Sequence, residues 1–457
     1  MTMRARRAGL VVALLVVTAC TSGGASTSTE TTATSAPTTS APTTRAPSTT
    51  TIPTTVPTPT TVLDTDTAKV LERKAAHLVP HNGWIALTVG HDETEAADLD
   101  IWLVALDQEP RRVIGTDTDT VDEMCPAFSP DGRRLAYGRL EGQSASLAFA
   151  DVDADGRASD PVTIEVGDGL PPPCPVWSPD GSQVAFGVAR TSPINPTTSA
   201  AGSEVWIITL SDKETTVLPD LLATDLEWSP DGSLLAIASG SEQAVTGGNM
   251  LHDGRINLYA PASGTIHSID PTGGATNLTW SPDGGRIAYE RIARQTDDVG
   301  VELQVIDVET EDQEVLATYG RVHGIGPVWS PDGEWVLYQR CAPSSVCNGE
   351  RHAVVLASVS DTEDGPSSVR EVVITSPRTA TWTGRSMNAY RVTWSPDGQY
   401  LLYVAWRGSE DFVAAVPIDP EGPTLWLADL PGIVARDGYA EGSTFVPIQT
   451  WGIGASG

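Results

Sequence analysis

Asp151-Val-Asp153-Ala-Asp155-Gly156 sets three carboxylates at alternate positions ahead of a glycine, as in the first half of a calcium loop. The second half does not follow, because Val162 stands where such a loop needs a bidentate glutamate. An acidic hairpin turn explains the segment without metal, so calcium is the one cofactor these residues raise. Cysteine offers a second chemistry. Cys341 and Cys347 bracket Ala-Pro-Ser-Ser-Val and suit a local disulfide, while Cys125 and Cys174 are each followed by Pro and stand three residues before an aromatic. An even number of thiols in an oxidising compartment supports both pairings, and no histidine lies at zinc-ligand spacing from either pair. Signatures of catalysis are missing: there is no Gly-x-Ser-x-Gly elbow and no α/β-hydrolase pattern.

The elements that must position these residues come from a repeat. Phe128-Ser-Pro-Asp-Gly132 is followed by Trp-Ser-Pro-Asp-Gly beginning at Trp177, Trp228, Trp280, Trp329 and Trp394, at intervals of 49, 51, 52, 49 and 65 residues. Proline fixes φ at the first corner of a turn, aspartate bonds to the backbone beyond it, and glycine takes the position with φ > 0. A short apolar run precedes each turn and a second follows, as in Leu235-Ala236-Ile237 and Ile287-Ala288-Tyr289. Third and fourth strands are expected at Val205-Trp206-Ile207 with Val217-Leu218, and at Leu303-Gln304-Val305 with Val315-Leu316. Four short strands per unit describe β-propeller blades in an all-β fold.

An additional set of strands, at Ile85-Ala86-Leu87, Ile101-Trp102-Leu103 and Val113-Ile114, precedes the first repeat and lacks an inner strand. One strand is left over at the other end, Phe445-Val446-Pro447-Ile448. The sequence predicts that it completes the N-terminal blade and closes a seven-bladed ring, which removes exposed sheet edges. Six blades with one set outside the ring is the alternative.

These motifs resemble the TolB-type propeller family, whose repeats carry the same aromatic-Ser-Pro-Asp-Gly phrase ahead of an Ile-Ala-Phe-like strand. The resemblance covers about residues 82 to 450. It implies architecture and not the family's known partner, a peptidoglycan-associated lipoprotein, because TolB has six blades behind a sizeable α/β domain. Here residues 67 to 81 leave room for one short helix around Val70 to His77.

Arg4, Arg6 and Arg7 lead an apolar stretch from Ala8 to Ala19, which reads as a secretory signal too short to span a bilayer. Val17-Thr18-Ala19-Cys20 is similar to a bacterial lipobox and marks Cys20 for lipidation after cleavage of residues 1 to 19. Residues 20 to 66 are mostly Thr, Ser, Pro and Ala, cannot build a core, and are expected to form a tether of roughly 35 to 40 Å. The propeller then occupies residues 67 to 457. The net charge of −31 argues against nucleic acid and against anionic lipid headgroups as partners. The expected location is the outer face of the cytoplasmic membrane or the cell surface.

In this topology the Ser-Pro-Asp-Gly turns share one face with short hairpins. The other face receives the long connections, Ala189 to Gly202, Ser239 to Gly254, Cys341 to Arg351 and Ser376 to Tyr390. Loops on a rigid scaffold carry specificity, which places a binding face there, around the channel mouth. Its candidate residues are Asp122, Glu123, Asp225, Asn277, His323, Asn388, Tyr390 and Arg391, and no catalytic residue is assigned. The expected function is a non-catalytic module that binds an envelope protein or cell-wall polymer and meets the membrane only through its lipid. The alternative is a surface hydrolase or carbohydrate-binding propeller with its site in the channel.

Overall fold

The computed structural model describes residues 84–90, 99–105, 111–113, 121–168, 173–189, 203–241, 252–269, 275–295, 298–320, 326–341, 352–359, 369–372, 389–395, 397–407, 410–419, 425–429 and 433–434. Every regular element among them is a β-strand, and the strands form seven antiparallel blades in a ring. Blade 1 contains β1 (Trp84–Gly90), β2 (Leu99–Ala105) and β3 (Arg111–Arg112). Blade 2 contains β4 (Val121–Phe128), β5 (Arg134–Glu141), β6 (Ser144–Asp151) and β7 (Val162–Asp168). Blade 3 contains β8 (Pro175–Trp177), β9 (Gln183–Ala189), β10 (Ser203–Thr209) and the first half of β11 (Thr215–Trp228). The second half of β11 is the inner strand of blade 4, which continues with β12 (Leu235–Ser241), β13 (His252–Ala260) and β14 (Thr265–Ile269).

Blade 5 contains β15 (Thr276–Trp280), β16 (Arg286–Gln295), β17 (Asp298–Asp307) and β18 (Gln313–Gly320). Blade 6 contains β19 (Val328–Trp329), β20 (Trp335–Cys341), β21 (His352–Ser358) and β22 (Val369–Val372). Blade 7 contains β23 (Ala389–Trp394), β24 (Tyr400–Arg407), β25 (Glu410–Pro417) and β26 (Leu425–Asp429). The ring is closed by β27 (Ile433–Val434), which pairs antiparallel with the far end of β1.

Closure by C-terminal chain agrees with the sequence expectation, but the described strand lies upstream of the one expected. Only residues 430–432 separate β26 from β27, so the chain reaches the innermost position by a short connection. Phe445 to Ile448, the tether, Cys20 and the segment from Val70 to His77 fall outside the described residues.

The repeated phrase builds both the turn and the joint between blades. Ser129 shows the pattern: its N–H donates to the Arg134 carbonyl (2.7 Å), its Oγ donates to Asp131 Oδ1 (2.6 Å), and the same Oγ accepts the Arg134 N–H (2.9 Å). Gly132 has φ 68°, the left-handed value the turn requires. Each such turn rests on the previous one, so that a Cβ built on Gly181 would lie 3.5 Å from Pro130 Cδ. The serine hydroxyl bond is the main reason Asp131, Asp180, Asp231 and Asp283 are held below the usual carboxylate range.

The core lies between blades. Six apolar clusters each join strands of two neighbouring blades, and each contains one aromatic of the repeat: Phe128, Trp177, Trp228, Trp280, Trp329 and Trp394. Every one of these tryptophans donates its indole N–H to a carbonyl on the inner strand of the preceding blade. The acceptors are Ala127 (2.9 Å), Val176 (3.3 Å), Glu227 (3.1 Å), Thr279 (3.1 Å) and Val328 (3.2 Å). The motif aromatic thus supplies apolar area and a directional bond that sets the spacing of the ring.

Candidate functional site

Strand direction places the connections from β9 to β10, β12 to β13, β20 to β21 and β22 to β23 at one end of the blades, opposite the Ser-Pro-Asp-Gly turns. The interiors of these four long connections lie outside the described residues, as do His323, Cys347 and Asn388. The residues that anchor them are described. Inner strands β4, β11, β15 and β23 each carry a register shift, at Met124/Ala127, Ala223/Asp225, Thr276/Thr279 and Tyr390/Val392. Bulges bend a strand and re-aim its side chains. The position affected is the third before the aromatic, occupied in successive repeats by Cys125, Cys174, Asp225, Asn277, Gly326 and Arg391.

At this level the blades are tied together side chain by side chain. Cys125, with φ 56°, forms a disulfide with Cys174 across blades 2 and 3, the Cα atoms 5.0 Å apart. Asp225 accepts the Leu278 N–H of the next blade (2.6 Å) through Oδ2 and its neighbour's Leu226 N–H (2.9 Å) through Oδ1. Asn277, with φ 53°, fits against Gly326, where any Cβ would come within 2.7 Å of the asparagine Cβ. Tyr390 and Arg391 lie at the bulge of β23.

Asp122 and Glu123 do not sit on an open mouth. Asp122 accepts the Leu99 N–H in blade 1 (3.2 Å), and Glu123 is 1% exposed beside Tyr137. Alternation along β4 sends these adjacent side chains to opposite faces, Asp122 half-buried and bonded to β2, Glu123 buried near Tyr137. Among the described residues no group of three metal-ligating side chains is gathered as a site, and Asp151, Asp153 and Asp155 are engaged within their own hairpin. Asp151 pairs with Arg134 (2.8 Å) and Asp155 with Arg157 (2.6 Å). Asp153 Oδ1 caps the turn by accepting the N–H groups of Asp155 (2.9 Å) and Arg157 (2.8 Å).

Three acidic or phenolic groups escaped the sequence reading. Glu227 accepts the Trp280 N–H (3.0 Å), repeating two residues along the strand what Asp225 does. Glu290, 7% exposed, accepts Asn277 Nδ2–H (2.7 Å) and the Tyr319 hydroxyl (2.6 Å). Both had a signal in the repeat. Glu227 stands where other repeats have Ala127, Val176, Thr279, Val328 and Thr393, and Glu290 stands where Gly138, Gly187 and Ala238 occur.

Burial pushes the Asp225 carboxyl up to about 7, against the pull of its two backbone N–H donors. Burial first, and the Asp225 charge second, raise Glu227 well above the usual range. A carboxyl raised in the folded state binds its proton there more tightly than in the unfolded chain. Its contribution therefore declines as pH rises from about 4 to about 7 and is level beyond. We expect a lower urea midpoint at pH 8 than at pH 5.5. The difference should shrink in Asp225→Asn; an unchanged difference would place the titration elsewhere.

Seven blades, turns built on one tetrapeptide and cross-blade ties at the inner strands define a β-propeller of the repeat type. The chain belongs to the TolB β-propeller domain family, which matches residues 91–347. No curated protein matches it. Among solved structures, a TolB candidate from Agrobacterium tumefaciens is 21% identical over 59% of this chain and 86% of its own, with a TM-score of 0.38. A hypothetical selenium-binding protein from Sulfolobus tokodaii is 10% identical over 78% and 94%, with a TM-score of 0.52. A periplasmic gluconolactonase from Pseudomonas aeruginosa is 15% identical over 79% and 97%, with a TM-score of 0.47.

Proposed function

We propose that the chain is an exported, lipid-anchored and non-catalytic member of this family that holds an envelope protein or cell-wall polymer on its loop-rich face. The observation that carries the reading is the uneven length of the connections. The Ser-Pro-Asp-Gly turns of one face are copies of each other, with hairpins beside them that reach ten residues at 152–161 and 359–368, while the opposite ends of blades 3, 4, 6 and 7 carry connections of 10 to 16 residues, the longest at 190–202 and 373–388. A rigid ring with variable loops at one end is suited to recognition.

The fate of the carboxylates supports binding over channel hydrolysis. Asp225 and Glu227 spend their oxygens on backbone N–H groups of the next blade, and Glu290 is enclosed by Asn277 and Tyr319. General acid or nucleophile work needs a carboxyl that reaches the substrate. In this reading those groups hold the scaffold that presents the loops.

Two variants test the two halves of the proposal. Cys20→Ala should move the protein from the membrane fraction to the medium; retention in membranes would contradict lipid anchoring. Affinity capture from crosslinked envelope extract should return a specific partner for the intact chain and lose it when residues 376 to 388 are shortened. A partner retained by that variant and by shortening of the other three connections would contradict a loop-borne site.

A further inference from the structure

Trp228, Trp280, Trp329 and Trp394 are buried, at 4–6% exposure, but their counterpart Trp177 is only half-buried. Trp177 lies in a groove of about 1380 Å³ between blades 2 and 3, on the Ser-Pro-Asp-Gly side of the ring. The hairpin joining β6 to β7 forms one wall of this groove. Its Ala154 carbonyl accepts the Trp84 indole N–H (3.4 Å) and its Gly156 abuts the Trp84 ring, so the hairpin also contacts blade 1.

The groove has an aromatic wall and a rim on which acids and bases alternate. Asp131 is exposed and is ordered through Oδ1 by Ser129 and the Arg133 N–H. The Arg133 side chain is exposed beside it, and Arg134 is paired with Asp151 across the groove wall. The serine bond keeps Asp131 ionised at neutral pH. An anionic polymer would meet these carboxylates and a chain of charge −31, and a polybasic one would meet the arginines. An uncharged, hydroxyl-rich ring suits both: carboxylate oxygens accept from hydroxyls, guanidinium groups donate to them, and the apolar face of the ring covers an indole.

We propose that this groove is a binding site for an uncharged saccharide, one sugar ring resting on Trp177 with its hydroxyls between Asp131 and Arg133. The site is separate from the loop-rich face and stands on the opposite side of the ring.

The test is calorimetric titration of the full chain with cellohexaose, chitohexaose and mannohexaose. We expect at least one to bind, and Arg133→Ala and Trp177→Phe each to weaken it about tenfold. Phe128 holds the equivalent place in the first repeat, so Trp177→Phe should fold, which an unchanged far-ultraviolet spectrum and a cooperative melt would verify. Binding should persist when residues 376 to 388 are shortened, which separates this site from the proposed partner site. The inference is overturned if no sugar binds at about 5 mM, if binding survives both groove substitutions, or if it disappears with the shortened loop.

Discussion

Replacing Cys125 and Cys174 together by alanine should lower the free energy of unfolding by about 4 kcal/mol, the chain-entropy value for a bridge closing a loop of this length. The two cysteines are 49 residues apart and join adjacent inner strands. Beside the bridge, β8 is only three residues long and has few ladder bonds of its own. A domain of ordinary stability holds about 5 to 15 kcal/mol in total, so the loss is a large share. Urea unfolding should show a lower midpoint for the double variant. Dithiothreitol should move the parent toward that midpoint, and by more than it moves the variant, which retains Cys341 and Cys347. Coincident midpoints for the oxidised parent and the variant would mean that the bridge adds nothing.

The second large effect concerns the aromatic of the repeat. Trp228→Ala should cost about 3 to 5 kcal/mol, because it opens a cavity where blades 3 and 4 meet. The ring is 6% exposed, among Val205, Leu226 and Ile237. Trp228→Phe keeps most of the apolar contact but deletes the N–H that reaches the Val176 carbonyl, for a loss of about 1 kcal/mol. The two substitutions therefore separate packing from the directional bond. Equal losses would show that the hydrogen bond, not the cavity, dominates the joint.

How much of this was legible without coordinates follows from where the information resides. The tetrapeptide turn encodes its own geometry, since serine, proline, aspartate and glycine each satisfy a local requirement, and its six copies mark six of the seven blades, the additional strand set ahead of them giving the seventh. The Cys125–Cys174 pair was legible for the same reason: equivalent repeat positions become neighbours in a ring. The closing strand was expected at Phe445 to Ile448, which lie outside the described residues; the pairing through Ile433 and Val434 was not legible because a two-residue strand has no periodicity.

The candidate residues split along similar lines. Asp225 and Asn277 occupy the bulge level, a fixed offset from the aromatic, and the contacts they make there are with the strands of their own and the next blade. Glu123 was assigned to the mouth, yet alternation along β4 turns it inward. At the acidic hairpin Arg157 pairs with Asp153 and Asp155, a neighbour that ligand spacing alone does not weigh. Trp177 was read as one more copy of its repeat. Its half-burial in a groove shared with a hairpin of the neighbouring blade is a tertiary property that no local pattern records.

The claim that recognition belongs to the loop-rich face is tested most directly by photocrosslinking in living cells. A photoreactive residue would replace Thr197, Gln243, Ser345 or Thr381 in the long connections, and Ser182, Glu334 or Gln399 beside the turns. The account predicts adducts to one partner from connection positions and none from turn positions. Adducts confined to the turn positions, or no adduct from any connection, would contradict it.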